Sequence, residues 1–325
     1  MAVGATLVTA AILPLVLIAD VLLQRRFALS RTALFFVCFL WSEVCGIACS
    51  LALWLRFLAR TAGKHRSAFV GANSRLQAIW VHTIFAAARI LFGMRMSVEG
   101  SAPRPGSRPL LVFVRHASTV DTALPILLLS YPLHYRLRYV LKRELLLDPC
   151  IDIVGQRIPN RFVRRGERGT NEVERVVSLY DDLDANDAIV LFPEGTRFSE
   201  RKRRELLAQL SLRGPSAALE LAQSLTHTLS PLRRGALALL EKNPGCDLLV
   251  VAHAGLEQAT SFTAFTRGSL VGAHLRVHIE HVPFEELPTD AEGQTRLLAD
   301  LWRNVDRFAA GGEETERTSD IALAG

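Results

Sequence analysis

Two long apolar runs open the chain, and the remainder alternates short apolar runs with amphipathic ones. Ala5 to Leu23 is almost wholly apolar, broken by Pro14 and Asp20; Thr32 to Leu58 is a second run, interrupted by Ser42 and Glu43. Each can cross a bilayer core, which takes roughly 20 residues. The short link Gln24 to Arg31 makes the pair a helical hairpin. Asp20 lies near a run end, where it can sit at an interface. Glu43 is mid-run and costly in lipid unless paired or hydrated. The first run lacks the preceding basic residues and small-residue cleavage site of a signal peptide. Arg56, Arg60, Lys64, Arg66 and Arg75 after the second run outnumber Arg25, Arg26 and Arg31 in the link. That bias puts the link outside and the long remainder in the cytoplasm. The alternative is a pair of buried or half-inserted helices.

Beyond the hairpin, Leu76, Ile79, Trp80, Thr83, Ile84, Ala87 and Leu91 keep helical spacing and predict an amphipathic helix against the domain or a membrane face. Met94 to Glu99 alternates like a strand. Leu110 to Val114 is a continuous apolar run, the mark of a strand buried on both faces. Ser118 or Thr119 can cap a helix running through Ala123 to Leu129. Leu137 to Leu141, Ile158 to Val163 (interrupted at Pro159-Asn160), Ala188 to Phe192 and Leu248 to Ala252 read as further strands, and Leu275 to Val282 as an exposed or edge strand. Helices are predicted at Lys142 to Leu147, closed by Asp148-Pro149, then from Thr170 or Asn171 to Leu183. Others follow at Glu200 to Arg213, Ala217 to Leu225, Gly235 to Glu241 and Thr295 to Phe308. No internal repeat is present. The organisation expected is a membrane hairpin over 1–60, an amphipathic connecting helix over 61–93, an α/β domain over 94–310 and a disordered tail over 311–325. Its fold class is a mixed sheet flanked by helices.

Composition sharpens the picture. Of 325 residues half are hydrophobic and the net charge is +6; the mean hydropathy is +0.22. A basic, apolar-rich chain points to a membrane surface or anionic substrates. Four Tyr and four Trp, without basic-aromatic interleaving, exclude a base-stacking nucleic-acid binder. Cys38, Cys45, Cys49, Cys150 and Cys246 show no zinc spacing, so no metal is expected. Cys45 and Cys49 share a helix face and are expected as buried small apolar residues.

The chemistry concentrates at strand ends. Arg115-His116 leaves the strand Leu110 to Val114, and Asp121 follows five residues after His116. An aspartate there can hold one imidazole nitrogen, fix the tautomer and stabilise the imidazolium, leaving the other nitrogen as a base toward a hydroxyl. Phe192-Pro193-Glu194-Gly195-Thr196-Arg197 leaves another buried strand through a tight turn with one arginine, whose planar donors suit phosphate. A basic stretch from Arg136 to Arg168, including Lys142, Arg143, Arg164 and Arg165, should line a cleft mouth and attract an anion. Pro231 to Gly235 is a weaker basic turn. No Gly-x-Ser-x-Gly elbow appears, which argues against a hydrolase triad.

This set resembles the glycerolipid acyltransferase family that includes 1-acyl-glycerol-3-phosphate acyltransferases. The family's His-x4-Asp motif is His116 to Asp121; its Phe-Pro-Glu-Gly-Thr-Arg motif is complete at Phe192 to Arg197; its Phe-Ile-Asp/Asn-Arg motif is seen as Phe162-Val163-Arg164-Arg165. Two departures stand out. Arg164 replaces the usual Asp or Asn, and the fourth motif, seen as Val250 to Gly255, lacks the proline the family usually carries after a strand, so His253 reads as a core or rim residue. The resemblance implies that His116, oriented by Asp121, deprotonates an acceptor hydroxyl that attacks an acyl thioester directly, with no acyl-enzyme. It implies substrate contacts by Glu194, Gly195, Thr196 and Arg197, with Arg164, Arg165 and Lys142. It implies no cofactor, acyl-CoA or acyl-carrier protein as co-substrate, and a lysophospholipid acceptor, foremost 1-acyl-glycerol-3-phosphate giving phosphatidic acid. The other expected partners are membrane lipids. Another lysophospholipid or a glycolipid is the second enzymatic reading, and a non-catalytic lipid-binding membrane protein on the same fold is the third.

Overall fold

The computed structural model describes residues 2–24, 26–58, 64–118, 120–163, 170–257, 259 and 262–311. Its helices begin with α1 (Ala2–Leu22), α2 (Ala28–Leu58), α3 (Lys64–Phe92) and the single turn α4 (Tyr131–Leu133). Then come α5 (Pro149–Gly155), α6 (Thr170–Val177), α7 (Glu200–Ser211), α8 (Ala217–Ser224), α9 (Arg233–Glu241), α10 (Phe262–Thr266) and α11 (Ala291–Ala309). The strands are β1 (Arg95–Glu99), β2 (Leu110–Val114), β3 (Arg136–Lys142), β4 (Arg161–Val163), β5 (Asp187–Leu191), β6 (Asp247–Ala254) and β7 (His274–Val282). Two compact units divide them, one of residues 1–95, 122–165 and 258–274, the other of 96–121, 166–257 and 275–325.

The second unit holds a mixed sheet in the order β1-β7-β6-β2-β5. β2 runs parallel to both β5 and β6, with Val112 opposite Val190 and Leu249; β7 runs antiparallel to β6. Strands enclosed this way can be apolar throughout, and every residue of β2 and β6 is buried. β7 alternates buried and half-buried positions as expected, but it lies between β1 and β6 rather than at the edge. α11 packs on β6 and α9 through Leu298, Leu301, Trp302 and Val305. Asp290 caps it by accepting from Gly293 N at 2.7 Å. Ser199 and Ser216 cap α7 and α8 in the same way.

In the first unit α2 packs along α1 on one side and α3 on the other, and β3 pairs in parallel with β4. α1 and α2 are both long and apolar enough to cross a membrane. Their buried residues are largely polar: Asp20, Ser30, Thr32, Glu43 and Ser50. Asp20 is buried rather than interfacial: it accepts from Leu29 N, Ser30 N and Ser30 Oγ at 3.0, 2.8 and 2.6 Å, capping α2 from the end of α1. Glu43 is buried and accepts from Cys150 N at 3.3 Å. Arg157 reaches Ser50 Oγ at 2.7 Å. Gly46 makes the α2–α5 approach possible, since a Cβ there would meet Cys150 Sγ at 2.6 Å. The outer faces carry Leu7, Leu15, Ile18, Leu51 and Leu55, all exposed.

Several expectations need correction. Cys45 and Cys49 lie exposed, with Cys38, on the apolar outer face of α2 instead of in a core; Cys150 and Cys246 are buried. On α3 the buried positions are Asn73, Ser74, Ala78, Ala88 and Phe92, while Ile79 of the predicted stripe is exposed. Residues 120–133 do not form one helix. A 3-10 turn Val120–Ala123 precedes Pro125, and a π-helix Ile126–Ser130 runs into α4, because Pro125 and Pro132 lack the N–H donors a continuous α-helix needs. Arg143–Leu147 is a 3-10 helix, and Asp148 starts α5 as its cap, accepting from Ile151 N at 2.9 Å. β4 begins only after Asn160, whose Oδ1 accepts from Tyr139 N at 2.9 Å. α6 ends at Val177 and gives way to a 3-10 turn, Ser178–Tyr180, short of Leu183. The tail after residue 311 lies outside the described residues.

Candidate active site

Three parallel strands deliver their C-terminal ends to one place in the second unit: β2 brings Arg115 and His116, β5 brings residues 192–197, and β6 brings His253 and the loop to Glu257. Ligands of open α/β sheets gather at such strand ends. Arg115 N donates to Val251 O at 3.1 Å, extending the β2–β6 ladder by one residue to the edge of His116.

His116 and Asp121 meet as their spacing predicts. His116 Nδ1 lies 3.2 Å from Asp121 Oδ2. The same oxygen accepts from Ala117 N and Ser118 N, both at 2.6 Å. The chain therefore curls around the carboxylate, which is completely buried, whereas the His116 side chain is 12% exposed. Burial works to raise the Asp121 carboxyl; His253, the His116 hydrogen bond and the Ser118 N–H outweigh it and hold the group well below the usual carboxylate range. With Nδ1 on the carboxylate, Nε2 of His116 is the nitrogen left to act as a base. Ser118 Oγ accepts from Val120 N at 3.3 Å, so Ser118 caps the turn that carries Asp121; Thr119, the other candidate cap, lies outside the described residues.

The Phe-Pro-Glu-Gly-Thr-Arg turn is bonded to the His116 peptide itself. His116 N donates to Glu194 Oε1 at 2.7 Å, and Phe198 N donates to His116 O at 2.7 Å. The Phe192 ring packs at 4.8 Å from the imidazole, centroid to centroid. Glu194 points inward: its other oxygen accepts from Leu229 N at 2.9 Å, and the residue is buried. Burial pushes its carboxyl up to about 8, against the pull of the Leu229 and His116 N–H donors and the charge of Arg115. Both Glu194 oxygens are engaged by chain N–H groups, so the side chain ties together three chain segments.

Gly195, Thr196 and Arg197 form the accessible side of the turn. Gly195 has φ +63°, the left-handed region that favours glycine, and a Cβ on it would have to displace the Leu232 side chain. Leu232 N donates to Pro193 O at 2.7 Å, which seats the second basic turn on the first. Lys202, from the first turn of α7, bonds Thr196 Oγ1 at 2.7 Å and Arg197 O at 2.8 Å. Sequence reasoning passed over this cation. Its position five residues after Arg197, three after the Ser199 cap, is the signal that could have found it.

Arg115 is a further unrecognised member. It is completely buried and donates to His253 O at 2.5 Å, Glu257 Oε1 at 2.6 Å and His227 O at 2.9 Å. Asp306 of α11 accepts from His227 N at 2.7 Å and Thr228 Oγ1 at 2.9 Å, so the strap 226–229 is pinned from both sides. Arg164, Arg165 and the Lys142 side chain lie outside the described residues.

The model of the family described as Acyltransferase matches residues 95–241, a span containing His116, Asp121 and the whole 192–197 turn. Over that span the chain is similar to an acyltransferase domain. Among solved structures it is similar to the crystal structure of the 1-acyl-sn-glycerophosphate (LPA) acyltransferase PlsC from Thermotoga maritima, at TM-score 0.45 and 16% identity, covering 82% of this chain and 97% of that one. No curated protein matches.

Proposed function

We propose that this enzyme moves an acyl chain from an acyl thioester, acyl-CoA in the first instance, to the free hydroxyl of a lysophospholipid, foremost 1-acyl-glycerol-3-phosphate, giving phosphatidic acid. The observation that carries the proposal is the joining of an aspartate-held imidazole to a glycine- and arginine-bearing turn through both backbone groups of His116. A base for a hydroxyl and a setting for a phosphate thus come as one rigid piece. His116 Nε2 takes the hydroxyl proton as the oxygen attacks the thioester carbonyl. The tetrahedral intermediate collapses with cleavage of the C–S bond, and the imidazolium returns the proton to the departing thiolate. Asp121 stabilises the imidazolium between the two transfers. The reaction needs no cofactor beyond the acyl donor. Incubating purified enzyme with labelled acyl-CoA and a panel of lysophospholipids tests the reading. Preference for the phosphomonoester acceptor supports it, preference for a choline- or glycerol-headed acceptor moves the function to lipid remodelling, and absence of transfer to every acceptor refutes it.

Arg197 and Lys202 are assigned to the acceptor phosphate, with Arg164, Arg165 and Lys142 the remaining cations proposed for it. Arg197→Gln is expected to weaken a phosphate-bearing acceptor by about 1.5–3 kcal/mol, the range for a hydrogen bond to a charged group, with the KM for acyl-CoA little changed. Steady-state kinetics against both substrates checks this; an unchanged acceptor KM moves the phosphate site elsewhere.

The exposed apolar faces of α1 and α2 are assigned to a lipid surface, where both substrates reside. Insertion from one side accounts for the contacts better than a hairpin whose link crosses the bilayer. Thr32 Oγ1 donates to Phe265 O at 3.2 Å and Arg31 to Leu91 O at 2.5 Å, so the link end of α2 is packed on the chain around α10 and on the end of α3. Farther along, Glu43 and Ser50 meet Cys150 and Arg157. A spanning α2 would draw this polar, irregular chain into hydrocarbon. Cysteine-accessibility labelling in sealed vesicles should find the Gln24–Arg31 link on the same side as residues after Phe92. Labelling from opposite sides restores the crossing hairpin.

A further inference from the structure

We infer that His253 is a positioning residue, holding the Asp121 carboxylate in the plane that aims His116; the inference rests on the acyl-transfer reading above. Oδ2 of Asp121 is occupied by Ala117 N, Ser118 N and His116 Nδ1. Oδ1 is buried without a hydrogen bond among the described residues, and it lies 3.5 Å from His253 Nε2. Both side chains are fully buried, so that oxygen is shielded from bulk solvent. A carboxylate held at one oxygen can pivot about it. A donor beside the other oxygen prevents the pivot, which would carry Oδ2 out of line with the imidazole.

The tautomer follows from the neighbours. Nε2 of His253 also lies 3.0 Å from Arg115 O, so two acceptors face it, while Nδ1 has no partner among the described residues. The ring therefore carries its hydrogen on Nε2, shared between the Arg115 carbonyl and Asp121. The other charged groups of this layer are engaged in other directions. The Arg115 guanidinium bonds His253 O, Glu257 and His227 O, and Glu194 bonds His116 N and Leu229 N. His253 is thus the group left to serve Oδ1. β6 places it there through its parallel pairing with β2, and Arg115 N–H to Val251 O fixes the two strand ends against each other.

The alternative, a histidine that only fills the core, is separated by substitution. His253→Leu fills the space without a donor, whereas His253→Gln places an amide N–H near the position of Nε2. His253→Leu is expected to lower kcat about 10-fold or more, part of the roughly 10²–10⁴ that a positioned base supplies, with both KM values unchanged; His253→Gln recovers most of it. Full kcat in His253→Leu, or a glutamine variant no better than leucine, overturns the inference. A wild-type enzyme that acylates no lysophospholipid refutes the functional reading instead. Nitrogen NMR of histidine-labelled resting wild type and Asp121→Asn stands independent of activity and of whether the leucine variant folds. The expected result is a His253 ring protonated at Nε2 whose signals move in Asp121→Asn. A ring protonated at Nδ1, or unmoved signals, overturns it.

Discussion

His116→Ala should lower kcat at least about 100-fold, the lower bound for a general base in a positioned site, while the melting temperature stays close to wild type. The two halves of this expectation have separate grounds. The rate falls because the alanine enzyme keeps the 192–197 turn and its cations but has no group to take the hydroxyl proton. The fold survives because the elements that shape the corner are backbone groups. Residue 116 keeps its N–H on Glu194 and its carbonyl on Phe198 N whatever its side chain, and Asp121 keeps the Ala117 and Ser118 N–H donors. Among the described residues, the Phe192 ring contact and the Nδ1 hydrogen bond are the imidazole contacts that disappear. Turnover and calorimetry on one preparation check both halves. Near-full turnover in His116→Ala would remove the imidazole from the mechanism and leave the turn as a binding feature alone.

Sequence made the strand ends legible because burial on both faces of a parallel sheet leaves one signature, an unbroken apolar run. Leu110 to Val114, Ala188 to Phe192 and Leu248 to Ala252 carry it, and the structure places β2, β5 and β6 there. The His116–Asp121 contact was equally legible, being local. What escaped depends on partners remote in sequence. Glu194 is named by its motif, but the motif does not say that its carboxylate turns inward to Leu229. His253 reaches Asp121 only because β6 pairs with β2, more than a hundred residues upstream. Asp20 caps a helix it does not belong to. The α2 cysteines escaped for another reason. The rule that apolar residues lie inside does not hold on α2, whose outer face is apolar and exposed, so Cys38, Cys45 and Cys49 lie outward while Glu43 and Ser50 lie inward.

Glu194→Ala is expected to do more structural damage than any other single change in the site. Its two oxygens accept from His116 N and Leu229 N, and both donors lie where the side chain's removal leaves them without a partner. Each buried N–H so stranded costs about 1–3 kcal/mol, so the variant should melt well below wild type. Catalysis should fall with it. The Glu194 bond fixes the peptide that carries the base, and a displacement of about 1 Å at a reacting group can cost about 100-fold. Glu194→Gln separates shape from chemistry. Both Glu194 oxygens accept an N–H, whereas a carboxamide accepts at one and turns its NH2 toward a second N–H. Glutamine should therefore strand one donor and fall between alanine and wild type in both melting temperature and kcat, with the KM for the phosphate-bearing acceptor little changed in either variant. A direct substrate contact predicts the reverse: an unchanged melting temperature and a raised acceptor KM, equal in alanine and glutamine. Thermal unfolding and steady-state kinetics on the three proteins decide between a strut beneath His116 and a ligand to the substrate.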